Sequence, residues 1–485
     1  MLHRRARTAM GDASSFGTEV SMVSFQIETT EWAQQQFADC RLGDQRRTRR
    51  LMNVAEQVAN DPSASFPDQM KAWGDLKAAY RLFACKDVTF EAIAEPHWQQ
   101  TRAVEPGRYL VLADTTEIDF GYHRDIEGLS EIGNGSGRGF LLHNGLLVEA
   151  ESQSVIGVAG QTIHYRKPKP KKENAAQRFK RERESRVWGD VIDQIGQPGE
   201  GVQLVHVCDR GADDFEVFCH FQQNDCDWVV RASSLHRKII APGDKIMPLE
   251  QYLHGLPVAG AYELQLRARP GQPARTATLE VRFGTLTMPV PRHKSDYVKS
   301  LDPQPIEMSV VWVREIDVPA SASPIEWVLY TSMSVTTFDE AWQVVGDYEC
   351  RWLVEEYHKA LKTGCRVQRR LLRETERLEA MVGLMSVISV RLLQLKSVAR
   401  SNPDRPAKDV VPLLWLLMLK AVRKKLRRVH DLTIYEFYRE VAKLGGFLGR
   451  RSDGEPGWIT IWRGWEKLNT LVQGAQLAID LKKCG

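Results

Sequence analysis

Two apolar runs in this chain stop at an aspartate, YLVLAD at Asp114 and QLVHVCD at Asp209. Each is short and rich in Leu and Val, which reads as a buried strand. In an open α/β sheet the functional cleft lies at strand ends. The pattern therefore predicts an α/β sheet presenting two carboxylates together. LLVEAES, VIGVAGQTIHY and WVVRAS read as further strands. A strand-rich insertion is expected from about 234 to 330, in YELQLRAR, TATLEVRF, MSVVWVRE and IEWVLYTS. Helical patterning returns near 337.

The returning helix carries a third acid, in YECRWLVEEYHKALK. At roughly 100° per residue, Tyr348, Arg351, Glu355 and Lys362 fall within an arc of roughly 60°. Leu353, Tyr357, Ala360 and Leu361 form the opposite, apolar side. Glu356 lies about 80° round from Tyr348, away from Arg351 and Lys362. Asp114, Asp209 and Glu355 suit Mg2+ or Mn2+, which favour oxygen ligands. Two such ions, about 3.5–4 Å apart, clamp the oxygens of an in-line phosphoryl displacement. Each acid alone has a plainer reading, as a turn cap or a solvated charge. A carboxylate pair also serves glycoside hydrolysis, but that chemistry does not call for Arg351, Lys362 and Arg210 nearby.

The 485 residues suggest about three domains. Net charge is only +4, so the overall balance does not announce a nucleic-acid partner. Local charge does. From Arg166 to Arg186 there are ten basic and three acidic residues, and Arg46, Arg47, Arg49 and Arg50 form a second cluster. KAVRKKLRR (420–428) is a third. Such clusters suit phosphate contacts. The eight cysteines contain no CxxC pair, which argues against a zinc ribbon and for free thiols in a reducing cytoplasm. The basic start MLHRRARTAM has no apolar run after it and is not read as a signal peptide. Ala380–Leu395 contains Arg391 and is short for a membrane span, so it reads as a buried helix.

Four regions are expected: a disordered extension at 1–28, a helical region at 29–105 whose basic residues suit DNA backbone contacts, an α/β region at 106–398 and a helical region at 399–485. Asp44 is the expected N-cap of a helix through Arg46, Arg50, Leu51, Val54 and Val58. The glycine-rich EIGNGSGRGF (131–140) lacks the GK[ST] of a nucleotide cradle and reads as a turn.

From about Trp32 to the C-terminus the chain resembles the bacterial cut-and-paste transposases of the insertion-sequence-four group. The resemblance is carried by WAQQQF, LGDQRRTRRLMNVA, ADTT (113–116), CDRGAD (208–213), WVVRAS (228–233), EWVLYTS (326–332) and YECRWLVEEYHKALKTG (348–364). The family signature is Tyr, two residues, Arg, three residues, Glu, six residues, Lys; Tyr348, Arg351, Glu355 and Lys362 match it without a gap. The resemblance implies a ribonuclease-H-like catalytic core with a β insertion at 106–398, flanked by a helical DNA-binding domain at 29–105 and a helical dimerisation domain at 399–485. It implies a triad of Asp114, Asp209 and Glu355 as catalytic and metal-binding residues, holding two Mg2+ ions per site, with Mn2+ able to substitute. Trp327 takes the place of a strand tryptophan that stacks on a flipped base. Tyr348, Arg351 and Lys362 grip phosphates, helped by Arg210 and Arg231, while Arg46, Arg47 and Arg50 position the end-recognition domain.

The implied reaction is nicking at transposon ends, hairpin formation, hairpin opening and strand transfer into target DNA. The implied partners are double-stranded DNA with terminal inverted repeats and a second copy of the chain in a synaptic dimer. The implied location is the bacterial cytoplasm, at the nucleoid when DNA-bound, with no membrane association. The extension at 1–28 and the lysine–proline run at 166–172 depart from the family pattern. A structure-selective nuclease and a non-catalytic DNA-binding regulator are the alternative readings.

Overall fold

A computed structural model of the protein describes residues 29–485 apart from 71, 122–125, 134, 168–171, 173–185, 267–272, 320–321, 428–430, 451–452 and 485. The expected extension at 1–28 and most of the basic run 166–186 lie outside the described residues.

The described chain opens with helices α1 (Thr29–Phe37), α2 (Gln45–Asn60), α3 (Trp73–Phe83) and α4 (Phe90–Arg102), with a single turn at Phe66–Gln69. Asp44 caps α2 as expected, its carboxylate accepting from the Arg46 amide. Leu51, Val54 and Val58 are its buried stripe, spaced to fall on one helical face.

A mixed sheet follows. It begins with β1 (Gly107–Asp119), β2 (Ser130–Ile132), β3 (Gly137–Glu149) and β4 (Val155–His164). Helix α5 (Arg186–Ile195) leads to β5 (Val202–Cys208), and α6 (Phe215–Gln223) leads to β6 (Asp227–Arg231). β3 is antiparallel to both β1 and β4, whereas β1, β5 and β6 run parallel. This is the arrangement expected of a ribonuclease-H-like core. Only the middle of EIGNGSGRGF is turn, its two ends belonging to β2 and β3; Gly133 and Gly135 there have φ 60° and 87°, values glycine adopts without a Cβ clash.

The insertion comprises β7 (Lys238–Ala241), β8 (Lys245–Pro248), α7 (Leu249–Gly255), β9 (Gly260–Leu266), β10 (Arg275–Met288), β11 (Ile306–Ile316) and β12 (Glu326–Thr331). Its last strand pairs with β6. Core and insertion therefore form one continuous sheet, of twelve strands among the described residues.

β1 is buried on both faces, which explains its unbroken apolar run. Leu110 and Leu112 face a core shared with α1–α4 and the later helices. Val111 and Ala113 face α5 and α6. The strand does not end at Asp114, as the sequence suggests; it continues to Asp119 because β3 keeps pairing with it through Gly139.

The expected single helix through Tyr348 and Lys362 is also interrupted. α8 (Phe338–Glu349) ends before Arg351, and α9 (Trp352–Lys359) begins after it. Between them Arg351 N bonds to Tyr348 O and Leu353 N to Cys350 O, an i→i+3 pattern that overwinds the chain. A π-turn, Ala360–Gly364, follows α9. Then come α10 (Thr375–Ser401), α11 (Leu413–Val422), α12 (Ile434–Leu444) and α13 (Trp458–Cys484). α10 contains the stretch read as a buried helix, and Leu384, Met385 and Ile388 are fully buried. Helices α12 and α13 touch backbone to backbone: a Cβ on Gly445 would stand 1.7 Å from Thr460 O. The seven cysteines with described side chains are free.

Candidate active site

The parallel register brings the two aspartates side by side. Leu112 pairs with Val207 at the end of the β1–β5 register, and Asp114 and Asp209 each follow two residues later, near enough for Asp209 to raise the pKa of the Asp114 carboxyl. Asp114 lies on the same face as Leu110 and Leu112, the face on which α9 packs. Asp209 turns out of β5 and caps a short 3-10 turn, accepting from Gly211 N at 2.7 Å. Space at Gly211 is tight: a Cβ would stand 3.0 Å from Asp209 Oδ1 and 3.0 Å from Trp188 Cζ2.

Arg351 links the sheet to α9. One guanidinium nitrogen donates to Asp114 Oδ2 at 2.8 Å and the other to Glu355 Oε1 at 2.9 Å. Burial pushes the Asp114 carboxyl above its ordinary range; Arg351 opposes this and Asp209 adds to it. Burial also works against the Arg351 charge, but Asp114, Tyr348, Glu355 and Asp209 together raise its pKa. Glu355 is half-exposed, whereas Glu356 is buried. Glu355 is the one that shares Arg351 with Asp114.

Lys362 sits in the π-turn. Burial lowers its pKa, while Glu117, Asp119 and Asp114 pull it back up. Tyr348 and Trp327 meet with ring centroids 5.8 Å apart. Both line a cleft of about 2430 Å³ with Arg231, Arg351 and Glu355; its far wall includes Asp404, Tyr435 and Trp458. Arg231 donates to Glu326 O at 2.9 Å. Arg210 is exposed beside Asp209. The N-terminal arginines stand well apart from this cleft in sequence and differ among themselves. Arg46 is exposed; Arg47 pairs with Asp87, and Arg50 donates to Asp75 at 2.9 Å.

Among the described residues no three His, Cys, Asp or Glu side chains form a ready-made metal cluster. The donor chemistry nevertheless fits a hard cation. Asp114 and Glu355 already converge on one positive group, and the partly buried Asp114 carboxylate gains from a nearby cation.

Two residues near the acids carry no mark in the helical wheel. Asn144 pairs across from Asp114, and His358 lies on α9; their side chains meet at 3.0 Å. The polar pair inside FLLHNGLLVE is the signal for Asn144. For His358 there is none beyond its place in the signature. Arg108 and Asp347, ion-paired in the cleft, were also silent in the sequence.

Three family models match the chain. "Transposase DNA-binding" covers 29–88, "Transposase DDE domain" covers 176–391, and "Transposase Tn5 dimerisation domain" covers 387–485. The chain belongs to the Tn5-like DDE transposases of the insertion-sequence-four family. As a Tn5-like DDE transposase it has a ribonuclease-H-like core with helical regions on both sides, and it binds DNA and forms homodimers. Such DDE domains act on DNA by cleavage and strand transfer, and generally with divalent metal ions. Asp209 and Glu355 fall inside the DDE match; Asp114 lies in the segment before it. No helix of the described residues is long and apolar enough to cross a membrane.

Proposed function

We propose that this transposase cuts at the terminal inverted repeats of its element and joins the freed 3′-ends to target DNA, with Asp114, Asp209 and Glu355 as its catalytic triad. The observation that carries this reading is Arg351 bridging Asp114 of β1 and Glu355 of α9, with Asp209 near enough to push the Asp114 carboxyl up.

Asp114, Asp209 and Glu355 would hold two Mg2+ ions, with Mn2+ as a substitute. When bound, the ions supply Lewis acidity and promote ionisation of the attacking water or hydroxyl. Arg351 turns from the carboxylates to a phosphate, for which its fork of donors is suited. Lys362 and Tyr348 hold neighbouring phosphates. Trp327 recovers stacking energy for a base flipped from the duplex end, a platform contact worth about 1–3 kcal/mol. Arg231 and Arg210 steady the backbone on either side.

The same site serves four phosphodiester exchanges. Water nicks one strand; the released 3′-hydroxyl attacks the opposite strand and closes a hairpin. A second water opens the hairpin, and the 3′-hydroxyl then attacks target DNA. Each step forms one P–O bond and breaks another. Residues 29–105 serve end recognition, 106–398 catalysis and 399–485 pairing of two copies in a synaptic complex.

The test is incubation of the full chain with end-bearing duplex and Mg2+, beside Glu355→Ala and an unrelated duplex. The expected result is hairpin and strand-transfer products from the end-bearing duplex alone, absent with Glu355→Ala. Cleavage unchanged by Glu355→Ala overturns the assignment; cleavage of both duplexes alike favours a structure-selective nuclease.

A further inference from the structure

His358 follows Glu355 by three residues, and Asn144 is the cross-strand partner of Asp114. Both side chains are buried, with Asn144 fully so. Asn144 Nδ2 lies 3.0 Å from His358 Nε2 and also donates to Leu142 O at 3.1 Å. Asn144 Oδ1 accepts from Gln161 Nε2. This set fixes the amide orientation, so His358 Nε2 is the acceptor and the ring proton belongs on Nδ1. Gln161 Nε2 also reaches Tyr357 Oη at 3.2 Å and Ser386 Oγ at 3.3 Å, and Gln161 Oε1 accepts from Trp98 Nε1 at 3.2 Å. Two consecutive residues of α9 are thus tied into one buried polar network.

We infer that Asn144 and His358 are positioning residues that set Glu355 at its working distance from Asp114. α9 has only eight residues and lies between an overwound turn and a π-turn. Buried Leu353, Val354 and Tyr357 seat it on the core, and polar bonds to the sheet add direction to that non-directional packing. The Arg351 bridge also joins it to Asp114, but that bridge opens once Arg351 takes a phosphate. The Asn144–His358 bond then still joins the strand of one metal ligand to the helix of another. Buried networks with every member paired are rigid in this way. The inference rests on the reading of Asp114 and Glu355 as metal ligands.

The test uses full-length His358→Gln and His358→Asn with end-bearing duplex. Glutamine carries a terminal oxygen near the place of Nε2 and can accept from Asn144; asparagine falls short of it. His358→Asn is expected to lose on the order of 10²-fold in cleavage kcat, and His358→Gln to recover most of that loss. Mn2+ binding to the protein–DNA complex, titrated by electron paramagnetic resonance, is expected to weaken about tenfold in His358→Asn alone. End affinity by gel shift stays unchanged in both. Asn144→Leu, which keeps volume and removes the donor, carries the same expectation as His358→Asn should that variant fail to fold. Equal cleavage and equal Mn2+ binding in the Gln and Asn variants, with Glu355→Ala inactive, overturns this inference alone. If Glu355→Ala cleaves like the unaltered protein, the metal-ligand reading falls and the inference with it.

Discussion

Arg351 sits 2.8 Å from Asp114 Oδ2 and, through its other nitrogen, 2.9 Å from Glu355 Oε1. One cation thus answers two carboxylates from different elements. On the proposed reading the same guanidinium takes a phosphate of the DNA, so that DNA and the acids compete for it. In DNA-free protein, Arg351→Ala is expected to tighten Mn2+ binding by roughly tenfold, about 1.4 kcal/mol. The same change weakens end cleavage. Calorimetric titration with Mn2+ checks the first, and an unchanged or weaker affinity contradicts the competition.

Asp114 carries a pH signature. Its folded pKa lies above the ordinary 3.8 because burial outweighs the pull of Arg351. The protonated form therefore favours folding fully below 3.8, and that contribution is lost as pH rises through the folded value. At neutral pH the ionised group costs stability. Asp114→Asn should accordingly raise the melting temperature at neutral pH, with an advantage that shrinks as pH falls toward 3.8. The variant should be inactive, down by at least 10²–10³-fold on the scale of lost electrostatic groups. Melting curves across pH check the sign; a stability loss at neutral pH contradicts it.

The N-terminal arginines should separate by role. Arg46 is exposed and pairs with the neighbouring cap residue Asp44 at 3.3 Å, whereas Arg50 is committed to Asp75 and Arg47 to Asp87. Arg46→Ala is expected to reduce the salt slope of DNA binding by about one. Arg50→Ala should instead lower stability by about 0.2–1 kcal/mol. Filter binding over a salt series, with urea unfolding, distinguishes them; equal salt slopes for Arg46→Ala and the unaltered protein contradict the Arg46 contact.

Gly211 guards the geometry of Asp209. In Gly211→Ala the new methyl presses on the Asp209 carboxylate and the Trp188 ring, both at 3.0 Å. Overpacking of this kind costs about 1–3 kcal/mol. Cleavage should fall by tenfold or more on the order of a small misplacement, with DNA affinity retained. Steady-state cleavage beside gel shift checks this, and unimpaired cleavage removes the constraint.

Local pattern revealed much of this molecule. The strands at Tyr109 and Gln203, the Asp44 cap and the buried stripe Leu353–Tyr357–Leu361 are properties of neighbouring residues, so periodicity finds them. The rest depends on distant partners. Asp114 lies within β1 because β3 continues to pair beyond it. The helix breaks near Arg351 without Gly or Pro to announce it. The insertion joins the core sheet through a pairing of Thr331 with Val229 that no local pattern encodes. Asn144 and His358 are separated by 214 residues, so only the fold brings them together.

Asp114, Asp209 and Glu355 are proposed to hold divalent ions for phosphodiester exchange. Asp209→Cys tests this most directly, because a thiolate is a poor ligand for Mg2+ and a better one for softer ions. End-bearing duplex is cleaved in parallel with Mg2+ and with Mn2+. The account predicts no cleavage with Mg2+ and partial recovery with Mn2+, while Asp209→Ala stays inactive with both. Cleavage by Asp209→Cys that is the same in either ion contradicts it.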